Sequence, residues 1–385
     1  MQDSASEHTF LTDSFELPPQ QTRLQEFWIQ LRKNRLALMG LVIFLVFFVI
    51  ALTGRLLTFG TSPLLDPSMV RLQEKLRPPL SRPNMESLLP EEMPPMGVYL
   101  LGTDELGRDV FARMLQGAWV SLSVGFVAVG IAVFIGILLG GLAGYYGQNP
   151  IRVGEVLIAV LVIWMALGWG KLSTLILVVL ALAAVAIAAA LVVQRDSDSR
   201  GLLHVFSAHF LSVDMVITGL IDIMLCFPSF FLILTVVALL PASIYNIMIV
   251  IGITSWMGAA RFVRAEFLSL REQDFVAAAR ALGVPDWRII FRHMVPNAIA
   301  PVLVSATIGI AGAILTEAGL SFLGFGVPPP DATWGNILSD GKNYLFDAPW
   351  LTFIPGIAIL VVVLSFNLFG EGLRDILNPK LRERH

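Results

Sequence analysis

One polar stretch, DFVAAARALGVPDWRIIFRHMVPN at residues 274–297, interrupts a sequence that consists mostly of bilayer-length apolar runs. Three consecutive alanines at 277–279 favour a helix and give it a smooth face. Gly283 suits the end of a helix, and Pro285 with Asp286 suits the start of the next one. The pattern predicts two short helices around a glycine turn, with a small-residue face that fits a groove in another protein. The alternative is an ordinary loop between two membrane spans.

Composition places the protein in a membrane. Apolar residues make up 56% of the chain and charged residues only 14%, with a mean hydropathy of +0.76, which excludes a soluble globular protein. The net charge of −3 offers no basic surface for nucleic acid. The single cysteine, Cys226, excludes an internal disulfide and lies in an apolar stretch, where packing is its expected role. The histidines are scattered, so no metal site is predicted.

The N-terminal region predicts an interfacial helix that leads into a first span. Four apolar residues share one helical face, and three basic residues follow them directly. The apolar residues are Leu24, Phe27, Trp28 and Leu31, and the basic residues are Arg32, Lys33 and Arg35. The positive-inside rule therefore places the N-terminus in the cytoplasm. The chain begins with polar and acidic residues and not with a signal peptide, so we expect the first span to be retained.

Apolar runs divide the rest of the chain. Runs apolar enough to be embedded in a bilayer occupy residues 36–59, 118–146, 156–169, 172–193, 216–240, 244–263, 299–323 and 351–373. The total is about eight crossings if every run spans the membrane. The predicted boundaries are a cytoplasmic N-terminus at 1–35, a first span at 36–59, an extracytoplasmic segment at 60–116, a second span at 117–149, an inserted region at 150–212, the remaining core at 213–375 with a loop at 264–297, and a cytoplasmic tail at 376–385.

The charges of the loops predict the orientation. The stretch after Val263 carries five arginines, whereas residues 324–349 carry three aspartates and a single lysine. The positive-inside rule puts the first stretch in the cytoplasm and the second one outside. The basic C-terminal tail then returns to the cytoplasm. Both termini are thus expected on one side, which requires an even number of crossings.

A glycine stripe runs along the predicted second span. Gly136, Gly140 and Gly144 recur every four residues and therefore share one helical face. Such a stripe lets another helix approach closely. We expect these glycines to serve packing and not chemistry.

Several motifs together resemble the dipeptide, oligopeptide and nickel permease group of ABC importers. They are GTDELGRD at 102–109, FPS at 227–229, EAGLSFLG at 317–324, WGN at 334–336, APW at 348–350 and GLRD at 372–375. The polar stretch at 274–297 resembles the EAA loop of these permeases, with Ala277 in place of the motif's Glu and with His293 and Val295 in place of its Ile and Leu. The resemblance covers roughly residues 28–382 except for 150–212.

This resemblance implies an all-α polytopic membrane protein with a six-helix importer-permease (MetI-like) core. It also implies a homologous second permease subunit, two ABC ATPase subunits and an extracytoplasmic solute-binding protein as partners. The residues that it assigns to ATPase coupling are Ala277, Ala278, Ala279, Arg280, Gly283, Pro285, Arg288 and Pro296. The expected cargo is a peptide or a related small solute such as a nickel chelate, moved across the inner membrane of a prokaryote by ATP-driven alternating access.

The chain lacks the motifs of an enzyme. Its sequence contains no GxxxxGK[ST] phosphate loop, so we expect ATP and Mg²⁺ to be bound by the partner ATPases. It also contains no HExxH pair and no GxSxG elbow. We therefore predict a protein without enzymatic activity and without a cofactor of its own.

Two acids lie inside predicted spans, Asp222 and Glu317, and a charge at such depth is costly enough to suggest a function. They are candidates for lining the pathway or for pairing helices. The alternative function is a proton-coupled secondary transporter that uses either acid, and a third is a membrane scaffold. The orientation places the two acids at different depths, which argues against a shared relay. Pro228 is expected to kink the helix that carries Asp222.

The GTDELGRD motif places Asp104, Glu105, Arg108 and Asp109 just outside the second span. The first expectation is an N-cap, with Thr103 or Asp104 accepting backbone amide bonds and the acids complementing the helix dipole. The resemblance adds a second role for the four charged residues, which is to contact the binding protein or to close an extracytoplasmic gate.

The inserted region at 150–212 has no counterpart in the family pattern. Its neighbours on both sides are expected at the cytoplasmic face, so it must cross the membrane zero or two times. Residues 172–193 are long enough for a span, whereas 156–169 are short. We predict a two-span apolar hairpin outside the six-helix core, and the alternative is a re-entrant or interfacial helix.

Overall fold

The computed structural model describes residues 23–60, 63–86, 88–147, 150–151 and 211–377. Within these ranges the protein consists of α-helices and connecting segments, apart from one two-residue antiparallel strand pair. The all-α fold predicted from the sequence is confirmed. The predicted hairpin falls almost entirely within residues 152–210, outside the described ranges.

The helices follow the apolar runs of the sequence. In chain order they are α1 (Arg23–Lys33), α2 (Arg35–Thr58), α3 (Val110–Tyr146), α4 (Val213–Cys226), α5 (Ser229–Leu239), α6 (Ile244–Thr254), α7 (Trp256–Arg271), α8 (Asp274–Ala281), α9 (Asp286–Arg288), α10 (Val295–Phe322), α11 (Trp334–Gly341) and α12 (Trp350–Leu377). The strands are β1 (Pro150–Ile151) and β2 (Leu211–Ser212). Short 3₁₀ turns occur at Leu72–Glu74, Pro90–Glu92 and Lys342–Tyr344, and a π-helical stretch, Ile289–Met294, joins α9 to α10.

Five helical stretches in the described ranges are long and apolar enough to cross a membrane. They are α2, α3, α6 with α7, α9 through α10, and α12. The bent pair α4 and α5 adds a sixth if it crosses as one span. This number agrees with the predicted six-helix core.

The apolar run at 216–240 does not form one straight helix. It breaks between α4 and α5, where the helix axis bends by 82°. Pro228 lies at the break and cannot supply the backbone N–H that a continuous helix needs there. The predicted kink is therefore confirmed.

The glycine stripe packs α3 tightly against α7. A Cβ atom built on Gly136 would lie 2.6 Å from the Cβ of Ala259. At Gly140 it would collide with the carbonyl of Ala260, and at Gly144 with the side chain of Phe267. The close approach that the glycine spacing predicts is therefore confirmed, and α7 is its partner.

The first two helices meet at Asn34, whose side chain accepts a hydrogen bond of 3.1 Å from the amide of Ala37 and so caps α2. Leu31 on α1 is fully buried with Ala37 and with Ile376 of α12. The helix predicted before the first span is therefore present, and it packs on the ends of α2 and α12.

The strand pair brings together the two ends of the inserted region. Pro150 pairs with Ser212, and Ile151 pairs with Leu211, in antiparallel register. The chain therefore leaves the described fold and returns to it at the same place, between the end of α3 and the start of α4. This is the arrangement expected of a segment that crosses the membrane zero or two times.

The bundle has two ends of different chemistry. The basic end holds the C-termini of α3, α7 and α12 together with residues 274–294. The opposite end holds residues 63–109 and α11. Between them lies the main apolar core, in which the largest fully buried side chains include Trp334, Ile314, Ile251 and Phe366.

Candidate functional site: polar clusters at the two ends of α3

Residues 274–294, which we call the 274–294 unit, form a helix, a turn and a second helix. The first helix, α8, ends in hydrogen bonds from the Gly283 amide to the Arg280 carbonyl (2.9 Å) and from the Val284 amide to the Ala279 carbonyl (3.1 Å). Gly283 has φ +71°, in the left-handed region that favours glycine. The second helix starts at Asp286 and continues for 37 residues to the end of α10. The predicted helix, turn and helix are confirmed.

The unit is attached to the bundle by the buried side of α8. Val276 is fully buried and Ala279 is 8% exposed, and both belong to an apolar cluster with Phe267 and Ile289. Ala277 and Ala278 are exposed. The predicted small-residue face is therefore divided, because Ala279 packs into the core and is not free for a partner.

The exposed surface of the unit combines apolar and cationic groups. The other predicted coupling residues are exposed, namely Arg280, Gly283, Pro285, Arg288 and Pro296. Leu282 is 82% exposed, Trp287 60% and Phe291 52%. An open groove of about 770 Å³ is lined by Val284, Trp287, Arg288, Phe291, Arg292, His293 and Pro296. Exposed apolar side chains grouped in this way mark an interaction surface.

Two tyrosines at the end of α3 bind both halves of the unit. The Tyr145 hydroxyl donates to Asp286 at 2.6 Å, and the Tyr146 hydroxyl donates to the same carboxylate at 3.1 Å. Arg280 of α8 lies 4.8 Å from the centre of the Tyr145 ring, and its Nε donates to the Tyr145 hydroxyl at 3.4 Å. The end of α3 is thus joined to the first helix of the unit and to the start of the second.

At the opposite end, four charged side chains from three parts of the chain form a network that we call the four-charge cluster. Asp104 accepts from Arg108 at 2.7 Å and from Arg113 at 2.5 Å. Asp340 of α11 accepts from Arg108 at 3.2 Å and from Arg113 at 2.8 Å. The side chains of Asp104 and Arg113 are 0% and 4% exposed. The charges balance, as burial of ion pairs requires.

The cap of α3 differs from the prediction. Asp109 is the N-cap, and its side chain accepts from the Phe111 amide at 2.9 Å. Thr103 instead accepts from the amide of Arg77, and Asp104 accepts from the amides of Leu106 and Arg108 in a turn. The expectation that Thr103 or Asp104 caps the helix is therefore wrong, because α3 begins only at Val110 and the capping residue directly precedes its helix. Burial raises the pKa of the Asp109 carboxyl, and this effect exceeds that of the backbone hydrogen bonds, which lower the pKa.

Glu105, the remaining acid of the motif, faces a different partner. It accepts a hydrogen bond from Tyr344, which raises the pKa of that phenol. Tyr344 lies in the 3₁₀ turn that follows α11. The structure therefore places all four predicted residues of the GTDELGRD motif at the opposite end, and each of them contacts α11, its following turn or the start of α3.

The two predicted intramembrane acids lie in separate places. Asp222 on α4 is 70% exposed and forms an ion pair of 3.0 Å with Arg261 on α7. Glu317 on α10 is fully buried, accepts from Ser321 at 2.7 Å and lies 3.5 Å from the hydroxyl of Ser121. Pro228 lies at the break after α4. Asp222 and Glu317 thus have different partners, in agreement with the expectation that they share no relay.

Sequence comparison decides the family. The family described as the binding-protein-dependent transport system inner membrane component matches residues 202–383, and the N-terminal transmembrane domain of oligopeptide transport permease C matches residues 22–79. The dipeptide transport system permease protein of Alkalihalophilus pseudofirmus is 36% identical over 93% of this chain and 90% of its own length. The protein belongs to the binding-protein-dependent transport permease family. The permease is therefore a multi-pass membrane component of a transport system.

Further relatives of the permease carry similar names. The dipeptide transport system permease protein of Haemophilus influenzae is 32% identical over 94% of this chain and 96% of its own length. The oligopeptide transport system permease protein of Bacillus subtilis is 29% identical over 92% of this chain and 89% of its own length. The likeness therefore extends over almost the whole permease.

Sequence reasoning missed several residues that complete these clusters. Arg113 and Asp340 carry half of the four-charge cluster, Arg261 pairs with Asp222, and the two tyrosines of α3 hold the 274–294 unit. An arginine in the first turn of a span, as at position 113, is a pattern that favours a buried counter-ion. Its partner Asp340 lies 227 positions away, and no local sequence pattern pairs the two residues.

Proposed function

We propose that the protein is the transmembrane permease subunit of an ABC importer that moves peptides by ATP-driven alternating access. The observation that carries this proposal is the 274–294 unit. It is fixed to the bundle on one side and exposes Ala277, Ala278, Leu282 and Trp287 on the other. A rigid, exposed and partly apolar surface of this kind suits a protein partner that moves it as one body.

The partner of this surface would be a cytoplasmic ATPase. The five arginines after Val263 favour a cytoplasmic location for the basic end. The same rule favours both termini in the cytoplasm, and a single crossing by the first span then puts residues 60–116 outside. Two ATPases, which would bind the ATP and the Mg²⁺, a homologous second permease and an extracytoplasmic binding protein complete the proposed importer.

Peptides are the proposed cargo because the relatives are named as dipeptide and oligopeptide transport permeases. The wider resemblance also includes a nickel chelate. Purification of the whole complex, followed by mass spectrometry of the solute on the binding protein, distinguishes a peptide cargo from a nickel chelate. A metal chelate and no peptide on the binding protein would overturn the peptide assignment.

The docking assignment is tested at two exposed positions of the unit. Ala278→Asp places a charge in the contact, and Gly283→Val strains the left-handed turn, at a cost of about 1–3 kcal/mol each. We expect both variants to fold but to lose ATPase stimulation by the loaded binding protein in reconstituted vesicles. Gly97→Val is a matched control, because Gly97 also has a positive φ (+68°) and open space around it but lies at the opposite end. Unchanged stimulation in both test variants would contradict docking at this unit.

The alternative function, a secondary transporter coupled to protons through Asp222 or Glu317, makes a different prediction. In the importer, Asp222 serves as the partner of Arg261, and Glu317 binds serine hydroxyls. Uptake should then stay ATP-dependent and insensitive to collapse of the proton gradient in Asp222→Asn and Glu317→Gln. Uptake driven by an imposed pH gradient, and lost in either variant, would support the alternative instead.

The insertion at 150–212 is proposed to be an accessory two-span hairpin. The adjacent positions of β1 and β2 support an insertion whose two ends lie on the same side. In a Cys226→Ser background, a cysteine at Lys171 should react with an impermeant thiol reagent from outside, and one at Ser199 only from inside. Reaction of the Lys171 position from the cytoplasm alone would rule out the hairpin.

A further inference from the structure

One helix of the permease is joined to both polar clusters. Helix α3 has 37 residues, which corresponds to a length of about 55 Å. Tyr145 and Tyr146 at its last turn bind the 274–294 unit, and Arg113 in its first turn belongs to the four-charge cluster. The two ends of the protein are therefore connected through a single element.

At the basic end, both helices of the 274–294 unit contact the last turn of α3. Asp286, at the start of the second helix of the unit, accepts from both tyrosine hydroxyls, and Arg280 of α8 stacks on Tyr145. A displacement of either helix of the unit would therefore act on the same turn of α3. The bonds to the Asp286 carboxylate are the stronger ones, because its charge strengthens them.

Along its length α3 has little freedom to absorb a displacement. The glycine stripe brings its backbone into contact with Ala260 and Phe267 of α7. Interlocked helices move together in small sliding steps and do not deform continuously. A shift imposed at Tyr145 is therefore expected to reach the first turn of the helix.

The first turn of α3 belongs to the four-charge cluster, so a displacement of the helix acts on buried ion pairs. Arg113 is 4% exposed, and its Nη1 contacts both Asp104 and Asp340 of α11. A movement of α3 changes the distances from Arg113 to both carboxylates. Because a buried charge without a partner is costly, the network has to rearrange as a whole.

We propose that Tyr145 and Tyr146 are positioning residues that couple the 274–294 unit to α3, and that α3 transmits the displacement to the four-charge cluster and α11. This inference rests on the proposed function, since the displacement comes from the ATPases. Tyrosines at a membrane surface also serve as interfacial anchors. The hydroxyl groups separate the two roles, because phenylalanine keeps the ring and loses the bonds to Asp286.

The test uses the complete complex, reconstituted in lipid with its partner ATPases, with Cys226→Ser and a single cysteine at Ser339 on α11. The rate of reaction with an impermeant maleimide is measured at rest and after trapping with ATP and vanadate. Tyr145→Phe with Tyr146→Phe is compared with the parent, and Tyr245→Phe is the matched control, since Tyr245 is 71% exposed at the start of α6. Recovery of the ATPases with each variant reports folding and assembly.

We expect trapping to change the maleimide rate in the parent and in Tyr245→Phe. In the double phenylalanine variant ATP turnover and trapping should persist, while the change in rate falls by at least about tenfold, since each of the two lost charge-assisted hydrogen bonds corresponds to about that factor. A full change in the double variant would overturn the coupling role of the tyrosines. An unchanged rate in a parent complex that does trap vanadate would overturn transmission to α11. Failure of any ATPase to purify with the permease would instead contradict the proposed function.

Discussion

The two ends of α3 use charged and polar side chains in opposite ways. At the basic end, Asp286 and Arg280 hold the 274–294 unit from one side, and the other side of the unit exposes Leu282 and Trp287. At the opposite end, the charges around Arg113 satisfy one another inside the protein. The first arrangement leaves a surface for a partner, whereas the second closes a contact within the chain. Removal of a side chain should therefore impair assembly at one end and stability at the other.

The largest loss of stability is expected for Arg113→Ala. Asp104, whose side chain is 0% exposed, would keep only Arg108 as a counter-ion, and breaking a buried pair costs about 3–5 kcal/mol. Thermal unfolding of the detergent-solubilised permease measures the effect. Arg374→Ala is the control, since Arg374 is an exposed arginine near the end of α12. Equal melting temperatures for the two variants would show that the four-charge cluster does not stabilise the fold.

The next effect concerns the link between the two ends. Gly140→Ala would push a methyl group into the backbone of Ala260, which costs about 1–3 kcal/mol because neither helix can yield without the other. Gly130→Ala on the same helix meets nothing within 4 Å and should be neutral or up to about 1 kcal/mol more stable. The melting temperatures of the two variants should shift in different directions or by clearly different amounts. An equal change in melting temperature for both variants would contradict a rigid contact between α3 and α7.

A smaller effect is expected for Asp109→Asn, and it depends on pH. Burial raises the folded-state pKa of Asp109 above its unfolded value, so the contribution of this group to stability is complete below the unfolded pKa and is lost as the pH rises through the folded one. Asparagine caps a helix equally well and does not titrate. The melting temperature of Asp109→Asn relative to that of the parent protein should therefore increase with pH from about 4 upward. A melting-temperature difference that is constant over this range would contradict the assignment.

The smallest effect is expected for Ala277→Glu. Ala277 is exposed on α8, and a surface substitution away from packed groups changes stability by about 0.5 kcal/mol or less. The variant also restores the residue of the family motif, so ATPase stimulation should persist. Ala279→Glu is the contrasting variant, because Ala279 is 8% exposed and a buried charge should lower the melting temperature strongly. If both variants unfold alike, the division of the alanine face is incorrect.

Local patterns predicted the elements whose causes are local. The turn at Gly283, the kink at Pro228 and the close packing of the glycine stripe each follow from the backbone properties of the residues themselves. The cap of α3 was predicted at the wrong residue although capping is local. Thr103 accepts from the amide of Arg77 and Asp104 accepts from Arg113, which leaves Asp109 as the cap. These contacts come from the packing of other segments, which the local pattern does not show.

The sequence by itself determined the membrane class of the permease, the order of the apolar runs that its described helices follow and the place of its exposed polar unit. These depend on the cost of transferring apolar and charged groups between water and lipid, which is a property of each stretch of chain. Only the tertiary structure decided which charges neutralise each other and which alanines are exposed. The pairs Arg113 with Asp340 and Tyr145 with Asp286 are 227 and 141 positions apart, and their energies depend on distances that exist only after the helices have packed.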